Sequence, residues 1–390
     1  MIIKNQDELL HFCKKLSHEP FVTIDTEFLR EKTYYPKLCL IQLSGPDKDA
    51  KAIDPIEGQL DLEPLFDLLL NEKVLKIFHA GRQDMEIFYR LMGKVVTPLF
   101  DTQIAAMVCG YGDSVGYEGL VKNILNPQID KSSQFTDWSN RPLSEKQLNY
   151  ALGDVTHLVD IYHHLSQELE KRGRTSWVFQ EKEILNDPAT YENLPEDAYK
   201  RIKIRSPKPK TLAILRDLAA WREKRAQDKD IPRPWVLRDD ALADMASQAP
   251  KDAKHLSKIR NVSKDLANGN TGDMLLKIIR QAEKSDKSTW PKVVKKKQLP
   301  PNISSTIDML KLLLKVQCAD NDVATKLVAG KDDIETLAIE DAPDINIMKG
   351  WRYEVFGQYA QELKKGTLAI GLKDNEIKLF KVSEGSEGFK

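Results

Sequence analysis

The feature that most constrains this chain is a change of hydrophobic period near residue 186. Before it, apolar runs of strand length at 21–25, 38–43, 50–53 and 74–78 alternate with windows of helical spacing at 62–70, 84–91, 101–108 and 143–169. After it, only helical spacing remains, at 211–226, 239–249 and 271–284, then at 304–318, 321–329, 332–339 and 350–364. Ser144 is placed as the N-cap of the long 143–169 helix. Proline- and lysine-rich breaks at 186–210 and 285–301 separate the parts. The pattern predicts an α/β domain with a mixed sheet over 1–172, a linker over 173–207 and a helical module over 208–288. A linker over 289–301, a second helical module over 302–372 and a frayed polar tail over 373–390 complete it.

Composition narrows the function classes. Hydrophobic residues make up 41% and charged residues 30%, so the chain can bury cores. No apolar run approaches the roughly 18 residues of a membrane span, and the N-terminus carries acids where a secretory signal needs apolar residues. The four cysteines are widely spaced, which argues against a disulfide framework or zinc site and for a cytoplasmic setting. The net charge of zero conceals an asymmetry: −9 over residues 1–170, +12 over 171–299 and −3 over 300–390. An acidic front and a basic middle suit a protein that holds cations with one part and a polyanion with another.

Acids stand at the ends of elements. Asp25 and Glu27 close the first apolar run and, in a strand, share a face. Asp84 follows the 74–78 run, and Tyr150 and Asp154 lie one helical turn apart. Carboxylates gathered from separate elements repel and raise one another's pKa. Mg²⁺ or Mn²⁺, which prefer oxygen ligands, removes that penalty, and two such ions stabilise both oxygens of a phosphodiester displacement. A tyrosine beside such an acid can orient a water. The alternative for each acid singly is a helix cap or a solvated charge. Asp101, before Thr102-Gln-Ile, is read as a helix N-cap.

These residues resemble the DEDD superfamily of 3′→5′ exonucleases. Phe21-Val-Thr-Ile-Asp25-Thr-Glu27-Phe28 resembles its first motif, and Phe78-His79-Ala-Gly-Arg-Gln-Asp84 with Phe100-Asp101-Thr-Gln-Ile resembles its second. Gln147-Leu-Asn-Tyr150-Ala-Leu-Gly-Asp154 resembles the third in its tyrosine-containing form. Within the superfamily the chain is most similar to the ribonuclease D family, whose helical HRDC modules resemble 211–288 and, more loosely, 302–370. The resemblance implies a ribonuclease-H-like catalytic domain and two divalent metal ions, Mg²⁺ or Mn²⁺. It implies release of 5′-mononucleotides from single-stranded RNA 3′ ends, tRNA precursors among them. It assigns Asp25, Glu27 and Asp154 as metal ligands, Asp84 to the same site through water, and Tyr150 to the attacking water.

Other residues carry open readings. Phe28 either stacks on the 3′ base or belongs to the core, His79 either touches the terminal nucleotide or is structural, and Gln83 either contacts substrate or is surface. His157, His163 and His164 lie near Asp154 without a cysteine and are read as structural rather than as a zinc site. The cations 200–210, with Lys292 and 295–297, are expected to meet phosphate. Trp221, Arg222, Arg225 and Trp235 suit RNA stacking or module packing. No membrane contact and no obligate protein partner are expected. The rival functions are a DNA 3′→5′ exonuclease and an RNA-binding scaffold with an idle nuclease fold.

Overall fold

A computed structural model of the chain describes residues 2–57, 59–125, 136–181, 183–293 and 299–382. The front part is a six-stranded mixed sheet with helices on both faces. Strand β1 (Ile2–Ile3) and helix α1 (Gln6–Leu16) lead into β2 (Phe21–Leu29), β3 (Lys37–Ser44) and β4 (Lys51–Ile53). Helix α2 (Glu63–Leu70), β5 (Leu75–Phe78), α3 (Arg82–Met92), β6 (Leu99–Asp101) and α4 (Thr102–Val108) follow, then α5 (Tyr117–Ile124) and α6 (Glu145–Lys171). The strand order is β1-β4-β3-β2-β5-β6, with β2 antiparallel to β3 and parallel to β5. Strand β2 is therefore central, and its side chains meet a helical layer on either side.

Alternation along β2 sorts those side chains. Val22 and Ile24 join Leu9, Phe12, Leu65 and Phe88 in the core under α1–α3. Phe21 joins Leu158, Val159 and Leu165 of α6 on the opposite face. Each fully buried Leu or Phe contributes about 1.5–3 kcal/mol relative to exposure, so the period of two is held firmly. Asp25 and Glu27 accordingly fall on the α6 side. Ser144 caps α6 as expected, in a reciprocal capping box with Gln147.

The segment 173–207 is not a linker. It folds as α7 (Thr175–Glu181), α8 (Glu183–Asn186) and two 3₁₀ turns, Pro188–Thr190 and Pro195–Arg201. Its apolar residues are shared among the cores: Leu185 and Tyr191 enter the α1–α3 core, Ala198 and Ile202 the first helical module, and Trp177 packs on both the α6 core and the second module, where it stacks on Trp351 at 4.3 Å. Pro188 and Pro195 begin turns here instead of ending structure.

The first helical module comprises α9 (Pro209–Lys229), α10 (Arg233–Val236), α11 (Asp239–Gln248), α12 (Ala253–Leu256), α13 (Lys264–Asn268) and α14 (Asn270–Lys284). The second comprises α15 (Ile303–Asp320), α16 (Thr325–Val328), α17 (Lys331–Ile339) and α18 (Gly350–Arg352). A π-turn at Tyr353–Gly357 runs on into α19 (Gln358–Lys365). The window 321–329 is thus helical only over α16. The second module is also not purely helical, and the expected tail begins as structure. Strands β7 (Leu368–Lys373) and β8 (Glu376–Lys381) form an antiparallel hairpin, its turn residues Asp374 and Asn375 both at positive φ. Lys295–Lys297 and the stretch 385–388 lie outside the described residues.

Each module docks on the front domain. Asp230 accepts from the backbone N–H groups of Tyr34 and Tyr35 at 3.1 and 3.0 Å, and the Tyr34 hydroxyl reaches the buried Glu223. On the other module, Ala324 N donates to Met107 O at 2.9 Å and Asp113 accepts from Thr325 and Lys326.

Candidate active site

The site assembles where β2 meets α6. Asp25, Glu27 and Asp154 place one carboxylate oxygen each within 4.8 Å of one another. One bond fixes α6 against the strand, Thr23 Oγ1 donating to Val155 O at 2.7 Å, and a second fixes it to α5, the Tyr117 hydroxyl donating to Asp154 O. Asp84 enters from the opposite side of the sheet. Thr26, whose side chain points away from Asp25 and Glu27, donates its hydroxyl to Asp84 Oδ1.

The loop before Asp84 is held by Asp101. Its carboxylate caps α4 through Gln103 N and Ile104 N and also accepts from Ala80 N and Gly81 N at 3.1 and 3.0 Å. The N-cap reading of Asp101 agrees with this geometry, and the same carboxylate sets where α3 begins.

Burial raises every acid of the group, and mutual repulsion raises Glu27, Asp84 and Asp154 further. Burial lifts Asp25 to about 6. Burial, then the charges of Asp25, Asp154 and Asp84, lifts Glu27 to about 10. Asp154 rises to about 8, by burial and then Asp25, and Asp84 rises well above its ordinary value for the same two reasons. A group of acids in this state needs a cation to ionise together, and oxygen ligands at this spacing suit a hard divalent ion.

A cavity of about 160 Å³ opens beside the acids, lined by Ile24, Asp25, His79, Tyr117, Tyr150, Asp154 and Leu158. Tyr150 is hydrogen-bonded to Asp154; burial, then Asp154 and Glu27, raises its phenol well above its ordinary value. The Tyr150 side chain is therefore a neutral donor. Burial lowers the pKa of His79, whose Nδ1 lies 3.0 Å from Thr102 Oγ1. Phe28 is half-buried and joins none of the hydrophobic cores, and Gln83 is exposed on α3; neither lines the cavity.

Three contributors escaped the sequence reading. Tyr117 lines the cavity, Thr26 holds Asp84, and Arg141 braces the approach to α6. Arg141 donates to both oxygens of Asp54, to Trp138 O and to Cys39 O. Cys39 is the extra residue of a β-bulge facing the Glu27–Phe28 step. Alternation and spacing show none of these, because every pair but Arg141 with Trp138 is separated by 37 to 102 residues. Among the described residues no histidine joins a metal-ligating cluster, and His164 instead bonds the Tyr111 hydroxyl at 2.7 Å. All four cysteines are buried and free.

Residues 1–170 match the family model for a 3′-5′ exonuclease, and residues 211–279 match that of the HRDC domain, one of the two such modules expected. Fold, carboxylate cluster and match together define a 3′-5′ exonuclease with an appended HRDC domain. The chain is 44% identical over 376 residues to ribonuclease D of Nitrobacter hamburgensis, spanning 96% of this chain and 98% of that one. It is 45% identical over 363 residues to ribonuclease D of Bartonella henselae, spanning 93% and 89%. The crystal structure of Escherichia coli RNase D, described as an exoribonuclease involved in structured RNA processing, superposes with a TM-score of 0.82. That likeness has 28% identity and covers 94% of this chain and 98% of that one. The chain belongs to the ribonuclease D family of hydrolytic 3′-5′ exoribonucleases, enzymes of a divalent-metal-dependent type. No helix among the described residues is long and apolar enough to cross a membrane.

Proposed function

We propose that this chain trims 3′-terminal nucleotides from tRNA precursors and other small structured RNAs in the cytoplasm. It would release 5′-mononucleotides with two Mg²⁺ or Mn²⁺ ions. The observation that carries this is the convergence of Asp25, Glu27 and Asp154 within 4.8 Å. Those three carboxylates would hold the ions, with Asp84, fixed by Thr26, joining through water. When bound, the ions supply a nucleophile at neutral pH and stabilise the leaving 3′ oxygen.

The protein's own groups do the positioning. Tyr150, a neutral phenol, donates to the attacking water and aligns it with the scissile phosphate. His79, in the cavity wall, meets the terminal nucleotide as a neutral imidazole. Phe28, next to Glu27 and outside any core, offers a stacking face for the 3′ base, and Gln83, exposed beside Asp84, a polar contact. The +12 middle of the chain steers the RNA body. Lys203, Arg205 and Lys208 suit this, since among the described residues no ion pair neutralises them, whereas Lys200, Arg201 and Lys210 pair with Asp197, Glu223 and Glu283. The second helical block is a diverged HRDC module, with α15, α17 and α19 repeating the order of α9, α11 and α14.

The test is Asp154→Asn, assayed on a 3′-extended tRNA precursor. Hydrolysis is expected to be lost while RNA affinity persists; a variant that still shortens the precursor overturns the site.

A further inference from the structure

A second, wider cleft lies away from the carboxylates. It encloses about 880 Å³ between the front domain and the first helical module. One wall is Arg30, Thr33 and Tyr34, from the chain just past β2; the other is formed by the 232–234 turn, Arg238 to Asp240 and Arg260. Two of its four arginines are committed: Arg30 forms a two-bond pair with Glu86, and Arg233 another with Glu223. Arg238 and Arg260 are exposed and meet no acid or acceptor among the described residues. The two carboxylates in the wall are engaged, Asp239 with Arg222 at 2.6 Å and Asp240 with Asn261 at 2.7 Å.

Trp235 adjoins this cleft on α10. Of the aromatic-and-basic residues 221–235, Arg222 is buried and bonded to Leu237 O, and Trp221 packs on the module core. Trp235 does neither: it is 61% exposed. A tryptophan left in water beside uncommitted arginines has the composition of a sequence-tolerant single-strand site, where indole stacks on a base and guanidinium meets phosphate.

Position completes the case. Arg30 is three residues beyond Glu27, so their Cα atoms lie at most about 11 Å apart. The cleft thus begins where a strand whose 3′ end sits at Glu27 would leave the carboxylates. We propose that the cleft between the front domain and the first helical module is a subsite for the single-stranded RNA just upstream of the 3′ end. In it Arg238 and Arg260 meet phosphates and Trp235 stacks on a base. The docking bonds of Tyr34 and Asp230 hold its two walls in register. The inference rests on the RNA reading above.

The test uses the full chain, with binding to a single strand of about 16 nucleotides and to a dinucleotide followed by anisotropy across a salt series. Arg238→Ala with Arg260→Ala is expected to weaken the long strand about tenfold and to flatten its log–log salt slope by roughly 1.4, two phosphates at about 0.7 each. Trp235→Ala is expected to weaken the long strand without changing that slope. The ratio of long to short affinity is expected to fall in both. Lys331→Ala, removing a cation from the second module, serves as the control. Unchanged affinity and slope in the double variant, or an equal loss on the dinucleotide, overturns the subsite while leaving the nuclease reading intact. A wild-type chain with no salt-dependent affinity for the long strand overturns both.

Discussion

Arg141 Nε lies 2.6 Å from Asp54 Oδ2, and its Nη2 lies 2.8 Å from Asp54 Oδ1. Asp54 is fully buried and Arg141 nearly so. The same guanidinium takes Cys39 O, at the bulge facing Glu27 and Phe28, and Trp138 O, in the segment leading to α6. Trp138 in turn stands 6.2 Å from the Tyr150 ring. One side chain therefore ties β3, the antiparallel neighbour of the strand that carries two of the acids, to the segment that leads into the helix carrying the third.

Arg141→Ala leaves Asp54 buried and unpaired, and such losses are typically about 3–5 kcal/mol. Burial alone would raise Asp54, but Arg141 and the backbone N–H groups of Glu57 and Ile56 bring it below its ordinary value. The pair's stabilisation is therefore present above the usual carboxylate range and lost as pH falls through the lowered folded value. Urea unfolding at neutral pH is expected to show the full loss, with a smaller difference between variant and wild type in acid. Equal stability at neutral pH contradicts the bracing role.

The metal-free site has the opposite sign. Asp25, Glu27 and Asp154 titrate near 6, 10 and 8 in the folded chain, against about 4 when unfolded. The folded state binds more protons over that window, so its stability falls as pH rises from about 4 through those values. In chelator, Glu27→Gln is expected to raise Tm at about pH 8, and Mg²⁺ is expected to raise the wild-type Tm more at about pH 8 than at about pH 5. A chelated Glu27→Gln protein that melts below wild type at the higher pH contradicts the electrostatic description of the site.

Tyr150→Phe removes a hydroxyl bonded to Asp154 and leaves the ring against Trp138. Its kcat is expected to fall about a hundredfold or more, with KM and Tm close to wild type. Because burial and neighbouring charge raise the phenol, kcat of the wild type is expected to show no tyrosine ionisation near neutral pH. A variant with wild-type kcat removes Tyr150 from the mechanism.

Most of what positions the acids was legible, because it is local. A period of two placed Asp25 and Glu27 on one face, a spacing of four placed Tyr150 with Asp154, and cap chemistry placed Ser144 and Asp101. Asp84 was legible as a loop-to-helix acid, but its anchor Thr26 was not, since the bond joins residues 58 positions apart in the chain. The β7–β8 hairpin had a signal that went unread. Asp374–Asn375 separates two runs of strand length, and both residues tolerate the positive φ that a two-residue turn requires. The 173–207 segment misled because prolines that open 3₁₀ turns look in sequence like linker punctuation.

The most direct measurement follows one tRNA precursor labelled at its 5′ end and, separately, at its 3′ end, with Mg²⁺ or Mn²⁺ and with chelator. With metal, the 3′ label is expected to appear at once as a mononucleotide while the 5′-labelled species shortens in single-nucleotide steps. Chelator, or Asp154→Asn, is expected to stop both. A 5′ label released first, internal fragments, or undiminished hydrolysis in chelator would contradict a metal-dependent 3′-5′ exonuclease centred on Asp25, Glu27 and Asp154.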